Sequence, residues 1–283
     1  MSDDDPQMQS QSYKLAVEDQ AFLLRDEMRA LRFAMEYGKA ELLLRDRGIR
    51  STVVVFGSAR VPSPEDAATL IAKAETSDEK AFAERRVRLS AWYDEARRFG
   101  RIVSERGGAL SPGSRLKDNV IATGGGPGIM EAANRGAAEC GAPSIGFNIT
   151  LPAEQRPNGY TTPELTFRFH YFAMRKMHLA MRANALAVFP GGFGTMDELF
   201  EILTLLQTGK APPMPVVLFG RDYWSKVLNL DTLVEYGTIN ATDLDLFDVV
   251  DDAEEGWAAL LRRGLRAHIP LEDDVLTEGP QRE

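Results

Sequence analysis

Residues 186–209 read LAVFPGGFGTMDELFEILTLLQTG, so that a short apolar run, a glycine turn and a helical pattern follow one another directly. The run LAVF is apolar throughout, which is typical of a strand buried on both faces of a sheet. The residues after Thr195 have the composition and spacing of a helix. The stretch therefore predicts a strand, a turn and a helix, the repeating unit of an α/β fold.

The same alternation continues along the chain. Further strands are predicted in STVVVFGSAR (51–60), VIAT (120–123), PSIGFNITL (143–151), FRFHYFA (167–173), PVVLFG (215–220) and LFDVV (246–250). Helices are predicted at 64–78, 80–106, after Gly128, and near 172–184, 195–208, 222–236 and 253–265. Strands that alternate with helices and are apolar on both faces predict a Rossmann-like α/β domain, with a doubly wound parallel sheet between two layers of helices.

We divide the chain into four segments. Residues 1–12 are polar and acidic without apolar periodicity, which predicts a disordered tail. Residues 13–49 predict a helical extension whose apolar face covers either the domain or a partner subunit. The single Rossmann-like domain is predicted over residues 50–270, and a second disordered tail over 271–283.

Composition excludes several functions. With 33 basic against 42 acidic residues the net charge is -9, which argues against general nucleic-acid binding. Cys140 is the only cysteine and no signal peptide opens the chain, so we expect a cytoplasmic protein without disulfides. No apolar run approaches the roughly 20 residues that span a bilayer. The chain has three histidines and one cysteine and no H-E-x-x-H motif, so we predict no structural metal site.

Three glycine turns follow predicted strands. They are Gly57-Ser58 after VVVF, residues 124–128 (GGGPG) after VIAT, and residues 190–194 (PGGFG) after LAVF. Ligands of open parallel sheets bind outside the carboxyl ends of the strands. Because glycine lacks a Cβ, an anion can approach the backbone amides closely, and a following helix adds unpaired N–H groups. The turns therefore predict an anion-binding cleft.

Two common nucleotide motifs are missing. A dinucleotide fingerprint G-x-G-x-x-G that starts at Gly124 or Gly126 places Ile129 or Glu131 where its third glycine belongs. The P-loop pattern G-x-x-x-x-G-K-[ST] is also absent. A mononucleotide or a sugar phosphate remains as the predicted ligand, with no cofactor.

Thr195 and Glu198 have a structural explanation as well. They match the capping box T-x-x-E, in which Thr195 accepts a hydrogen bond from the amide three residues on and Glu198 reaches back. The capping box leaves the density of glycine unexplained, because one glycine suffices for a turn and each further one adds backbone entropy to be lost on folding.

The helical stretch FAMRKMHLAMRANA (172–185) leads into the strand LAVF. Its cations, Arg175, Lys176 and Arg182, form either a solvated helix face or, for Arg175, a group that approaches an anion held by the glycine turn. The sequence pattern alone leaves both interpretations open.

The M-R-K triplet at 174–176 followed by PGGFGTMDE resembles the paired signature of the LOG family, whose glycine motif is PGGxGTxxE. Every fixed position of that motif is present, and the resemblance extends from about residue 50 to 220. GFNITLPAEQRPNGY (146–160) is similar to a segment of a longer bacterial subgroup, as is the helical extension. The resemblance implies a phosphoribohydrolase that cleaves the N-glycosidic bond of a cytokinin riboside 5′-monophosphate or AMP, in a homodimer or larger homo-oligomer.

By position, the resemblance implies that Arg175 and Glu198 are catalytic, with Glu198 facing the ribose. Glycosidic cleavage develops positive charge at the anomeric carbon, which a carboxylate stabilises. The implied substrate-binding residues are Met174, Lys176, Gly191, Gly192, Gly194 and Thr195 on one side of the cleft and Gly57, Ser58, Gly125, Gly126 and Gly128 on the other.

Two functions are alternatives to a phosphoribohydrolase. A non-catalytic nucleotide-binding or carrier protein on the same fold would keep the glycine turns without requiring both Arg175 and Glu198. The decarboxylase label often given to such proteins fails, because pyridoxal phosphate needs a Schiff-base lysine with a partner for the pyridine nitrogen, and Lys176 lies in no such motif.

Overall fold

Seven strands form one sheet in the computed structural model, which describes residues 5–111, 113–150 and 156–266. The strands are β1 (Thr52–Phe56), β2 (Val120–Thr123), β3 (Ser144–Ile149), β4 (Thr166–Phe169), β5 (Ala183–Val188), β6 (Val216–Phe219) and β7 (Asp248–Val250). Their order in the sheet is β4-β3-β2-β1-β5-β6-β7, and each neighbouring pair is parallel. The predicted doubly wound parallel sheet is confirmed.

Ten α-helices accompany the strands within the described part of the chain. They are α1 (Gln20–Leu23), α2 (Arg29–Asp46), α3 (Pro64–Lys73), α4 (Ser77–Arg106), α5 (Ile129–Glu139), α6 (Phe172–Met181), α7 (Phe193–Gln207), α8 (Arg221–Val227), α9 (Leu230–Glu235) and α10 (Ala253–Arg262). The helix predicted at 222–236 is two helices, because the Asn229 side chain accepts a hydrogen bond from the Thr232 amide (3.2 Å) and begins α9. The predicted tail at 271–283 and residues 1–4 of the other tail lie outside the described residues.

Apolar burial holds the layers together. All five residues of β1 are at most 5% exposed, as a strand covered on both faces requires. Helix α4 packs against both α5 and α10, and all three contact the sheet, while α2 packs against α6. Each large apolar side chain removed from water contributes about 1.5–3 kcal/mol, so this central strand is a main source of stability.

The strand order reverses beside β1. From β1 the chain builds one half of the sheet as far as β4, and then returns to place β5 on the other side of β1. The carboxyl ends of β1 and β5 therefore diverge into two different loops, Gly57-Ser58 and residues 190–194. An open parallel sheet offers its ligand crevice at such a reversal.

Candidate active site

A cleft of about 870 Å³ opens at the reversal between β1 and β5. Its lining includes these predicted site residues: Gly57, Ser58, Arg175, Gly191, Gly192, Gly194 and Thr195. The structure thus brings together side chains and turns that the sequence separates by more than 100 residues.

Backbone hydrogen bonds fix the three glycine turns to one another. The Ser58 amide donates to the Pro190 carbonyl (3.0 Å), and the Ile129 amide donates to the Ser58 carbonyl (3.2 Å). Gly128 lies at φ 72°, and a Cβ there would stand 2.4 Å from the Ser58 carbonyl oxygen. The close approach of the turns therefore requires glycine at position 128 for packing, independently of any ligand.

The capping box predicted at Thr195 and Glu198 is wrong. Helix α7 begins at Phe193 with Gly192 as its N-cap, and the Gly192 carbonyl accepts hydrogen bonds from the amides of Thr195 and Met196 (both 3.0 Å). Because the helix begins right after the glycine pair, Thr195 lies inside the first turn and Glu198 inside the second, where it cannot reach the N-cap. The Glu198 carboxylate is thereby free of the structural role that the pattern gave it.

The start of α7 presents unused amides to the cleft. Among the hydrogen bonds of the described residues, none uses the amides of Gly192, Phe193 or Gly194. A Cβ at Gly192 or Gly194 would meet nothing within 4 Å, and neither glycine has a positive φ. Neither packing nor backbone conformation thus accounts for these two glycines. The bare amides lie at the positive end of the α7 dipole, an arrangement that is suited to bind an anion; we call it the glycine cradle.

Arg175 and Glu198 form an ion pair at the edge of the cleft. The Arg175 Nη2 lies 3.8 Å from the Glu198 Oε1, and the two side chains are 15% and 8% exposed. Burial lowers the pKa of Arg175, and it raises the pKa of Glu198 against the opposing charges of Lys176 and Arg175. The buried Nε of Arg175 has no hydrogen-bond partner in the described structure, so this guanidinium keeps donor capacity for another group.

The two members of the pair face different spaces. Arg175 lines the open cleft, whereas Glu198 lines a small void of about 10 Å³ next to it. Phe56, at the end of β1, borders both spaces. Arg175 thus faces the cleft and Glu198 the void, which has room for about one water molecule.

Lys176 and Met174 do not line the cleft. The Lys176 Nζ pairs with Asp197 Oδ2 (2.8 Å) and Glu201 Oε2 (2.7 Å), both on α7. Burial alone would lower the pKa of Lys176, but these hydrogen bonds raise it. Met174 is half-buried and packs against the core. These ion pairs connect α6 to α7, and Lys176 lines the small void together with Glu198.

The glycines of the GGGPG turn are also used internally. Asn158 donates from its amide to the Gly125 carbonyl (2.8 Å) and from its side chain to the Gly126 carbonyl (3.0 Å). The cleft lining contains Met130 from this region but none of Gly125, Gly126 or Gly128. Asn158 thus stabilises the GGGPG turn through two hydrogen bonds.

Two polar residues of α5, Glu131 and Asn134, follow the GGGPG turn in sequence. Asn134 is fully buried and accepts hydrogen bonds from Thr123 Oγ1 (2.7 Å) and the Asn158 side chain (3.1 Å). Glu131 accepts a hydrogen bond from the buried Tyr93 hydroxyl (2.8 Å). Both side chains are bonded within the protein, which favours packing.

Sequence reasoning missed Tyr223 on α8. Its hydroxyl donates to the Gly191 carbonyl (2.6 Å), and its ring lines the cleft together with Val227 and Leu228. The sequence contains a signal for this residue, namely a fourth turn of the same strand-glycine-helix type. Gly220 follows β6, the strand beside β5, and α8 begins directly after Gly220.

His178, one turn after Arg175 on α6, is buried in an aromatic box. Its ring stacks on Tyr37 (5.5 Å between centroids) and contacts Phe147 and Phe169 (6.1 and 5.5 Å). Neither ring nitrogen has a hydrogen-bond partner in the described structure. Burial lowers the pKa of His178, although Glu41 opposes this shift.

We expect His178 to make stability depend on pH. Because its folded pKa lies below the unfolded value of about 6.5, stability is present above that value and is lost as pH falls through the folded pKa. The His178→Phe variant should lose this dependence and keep or gain stability, since it removes two unsatisfied nitrogens. Melting temperatures between pH 7 and pH 5, above the range in which ordinary carboxylates titrate, test this. Equal slopes for both proteins would contradict it.

The fold and the cleft define a Rossmann-like α/β protein with a glycine cradle and an Arg-carboxylate pair at its switch point. A family profile described as "Possible lysine decarboxylase" matches residues 130–260. The probable cytokinin riboside 5′-monophosphate phosphoribohydrolase LOG4 of Oryza sativa subsp. japonica is 30% identical over 165 residues, which are 56% of this chain and 70% of the relative. The phosphoribohydrolase LOG3 of Arabidopsis thaliana is 27% identical over 184 residues, 63% and 82% of the two chains. The chain belongs to the LOG family.

Among solved structures, the molybdenum cofactor binding protein from Rippkaea orientalis aligns with a TM-score of 0.44 and 16% identity, covering 76% of this chain and 96% of that one. In the described part of the chain, no group of three or more His, Cys, Asp and Glu side chains is placed to hold a metal ion. None of the described helices combines the length and apolarity needed to cross a membrane.

Proposed function

We propose that this protein hydrolyses the N-glycosidic bond of AMP or an N6-substituted AMP, releasing the free base and ribose 5-phosphate. The observation that carries the proposal is the Arg175-Glu198 pair, buried at the edge of a cleft that also presents the unused amides of residues 192–194. The names of the relatives, all phosphoribohydrolases of cytokinin riboside 5′-monophosphates, support the reaction class.

The 5′-phosphate binds in this proposal at the start of α7. The amides of Gly192, Phe193 and Gly194 donate to its oxygens, and the helix dipole adds favourable charge. The Thr195 hydroxyl lies beside Gly191, close enough that a Cβ on Gly191 would stand 2.1 Å from it. Thr195 thus supplies a donor next to the amides, at the floor of the cradle.

The ribose then lies over Arg175 and Glu198. In hydrolysis the bond from C1′ to the base nitrogen breaks, its electrons leave with the base, and water supplies the new C1′–O bond and the proton gained by the base. Positive charge develops on the ribose, and a carboxylate in a water-poor site stabilises it more strongly than one in bulk water. Glu198 performs this role once Arg175 turns toward the substrate and exposes the carboxylate.

The base faces a largely apolar wall. Met130, Tyr223, Val227 and Leu228 line the cleft beyond the glycine cradle. An aromatic and aliphatic wall accommodates a purine ring and leaves room for an apolar N6 substituent.

Base release tests the proposal. We expect the purified full chain to convert AMP and N6-isopentenyl AMP to free base and ribose 5-phosphate, separated by chromatography. The Arg175→Ala variant, purified identically, should lose at least a hundredfold in rate. It should keep its melting temperature within a few degrees, because the loss of the ion pair with Glu198 is offset by the removal of a buried charge. Tight nucleotide binding by the wild type without base release would instead identify a carrier protein.

A further inference from the structure

We propose that the N-terminal helix α2 positions the catalytic helix α6, and that Glu36 is the positioning residue through which it acts. The inference rests on the proposed function, because it concerns the placement of Arg175. No part of the proposed reaction uses α2 directly.

Glu36 completes the start of α6. Its two carboxylate oxygens accept hydrogen bonds from the amides of His170 (2.9 Å) and Tyr171 (3.3 Å), 134 and 135 residues away in sequence. The N-cap of α6 is Tyr171, whose own side chain makes no cap hydrogen bond. A negative charge at a helix N-terminus is favourable, and hydrogen bonds to charged groups are stronger than neutral ones. The extension therefore holds the two backbone amides that immediately precede α6, at an N-terminus whose own N-cap side chain makes no hydrogen bond.

Two hydrogen bonds connect Glu36 to the backbone of Arg175. The Tyr171 amide donates to Glu36, and the Tyr171 carbonyl accepts from the Arg175 amide (3.2 Å). Two further α2 residues hold Tyr171: the Arg32 Nε donates to its hydroxyl (3.0 Å), and the Phe33 ring packs edge-on against its ring (4.2 Å). Tyr171 is thus held by α2 through its amide, its hydroxyl and its ring.

The other end of α6 is held by the same helix. Arg182, the C-cap of α6, pairs with both carboxylate oxygens of Glu41 (2.6 Å each). Glu36 and Glu41 lie on α2 only five positions apart, so contacts on one stretch of α2 fix both ends of α6. A helix bound at both ends cannot slide or rotate relative to α2 without breaking one of these contacts. Arg175 lies between the two anchors, one turn from the first.

The test separates positioning from stability. We compare Glu36→Ala and Glu36→Gln with Asp46→Ala, an exposed carboxylate on α2 without a side-chain bond in the described structure. We expect Glu36→Ala to reduce kcat for AMP about tenfold, the effect of a modest loss in transition-state stabilisation. Its KM and its Kd for ribose 5-phosphate should stay within twofold, because the glycine cradle does not touch α2. Glu36→Gln keeps an acceptor oxygen for only one of the two amides and should fall between, whereas Asp46→Ala should match the wild type.

Hydrogen exchange supplies a readout that does not depend on catalysis. The Arg175 amide should exchange at least several-fold faster in Glu36→Ala than in Asp46→Ala, while amides of α7 exchange equally. An unchanged kcat, or a parallel loss of kcat, ribose 5-phosphate binding and melting temperature, would overturn the inference. Failure of the wild type to release base would instead remove the proposed function, and an unaltered Arg175 exchange rate would then overturn the positioning role separately.

Discussion

Glu198→Gln should reduce kcat for base release by about a hundredfold to a thousandfold, while the protein keeps its fold. The substitution preserves the shape of the side chain and removes only its charge, which the proposed mechanism needs to stabilise the ribose cation. Because α7 begins at Phe193, Glu198 caps nothing, so the variant leaves the helix start unaltered. Measurement of kcat and of the melting temperature on the same preparations tests both halves of this prediction.

Two opposing effects keep the stability of this variant near that of the wild type. Burial raises the folded pKa of Glu198, so stability falls as pH rises from the unfolded pKa through the folded one, and Gln removes that penalty at neutral pH. Gln also leaves the buried Arg175 without its nearest carboxylate, which is destabilising.

Asp197→Asn is the matched control, because Asp197 is a neighbouring exposed carboxylate that pairs with Lys176. It should retain most of the activity. Full activity in Glu198→Gln would refute the catalytic role.

The wrong capping box shows where local sequence reasoning ends. T-x-x-E fits a helix that begins after Thr195 and equally fits a helix that already contains it, because both place Thr and Glu on one face. The Gly192 carbonyl accepts hydrogen bonds from the amides of Thr195 and Met196, and the helix therefore begins at Phe193, before Thr195. The pattern predicted the helix, but its first residue depends on a glycine conformation that the pattern does not encode.

The sheet and the main turns of the cleft follow from the sequence for a physical reason. Doubly buried strands are continuous apolar runs, and glycine turns at their ends mark the ligand edge of a parallel sheet. Partners distant in sequence do not follow in the same way. Nothing local predicts that Lys176 pairs with α7 carboxylates, that Asn158 bonds to the turn at Gly125, or that Glu36 binds the amides just before α6. These contacts depend on how the layers pack, and they give several of the glycines and cations a bonding partner within the protein.

Gly194→Ala should stabilise the protein and weaken its substrate binding at the same time. Gly194 lies inside α7 with an ordinary φ, and a Cβ there meets nothing within 4 Å, so Ala should add about 0.5–1 kcal/mol of stability through helix propensity and reduced entropy of the unfolded chain. The same methyl group would project from the amide cradle toward the phosphate. We expect at least a tenfold increase in KM for AMP and a matching loss of affinity for ribose 5-phosphate, measured by kinetics and calorimetry.

Gly38→Ala provides the control for this prediction. Gly38 also lies inside a helix, α2, has an ordinary φ, and has no atom within 4 Å of the added Cβ. It should gain a similar stability and leave KM unchanged, because it is remote from the cleft. A protein optimised only for stability would carry alanine at both positions. Gly38 and Gly194 share these properties, so the feature that distinguishes Gly194 is its place in the lining of the cleft. If Gly194→Ala bound substrate as tightly as the wild type, the bare amides of α7 would not be the phosphate site.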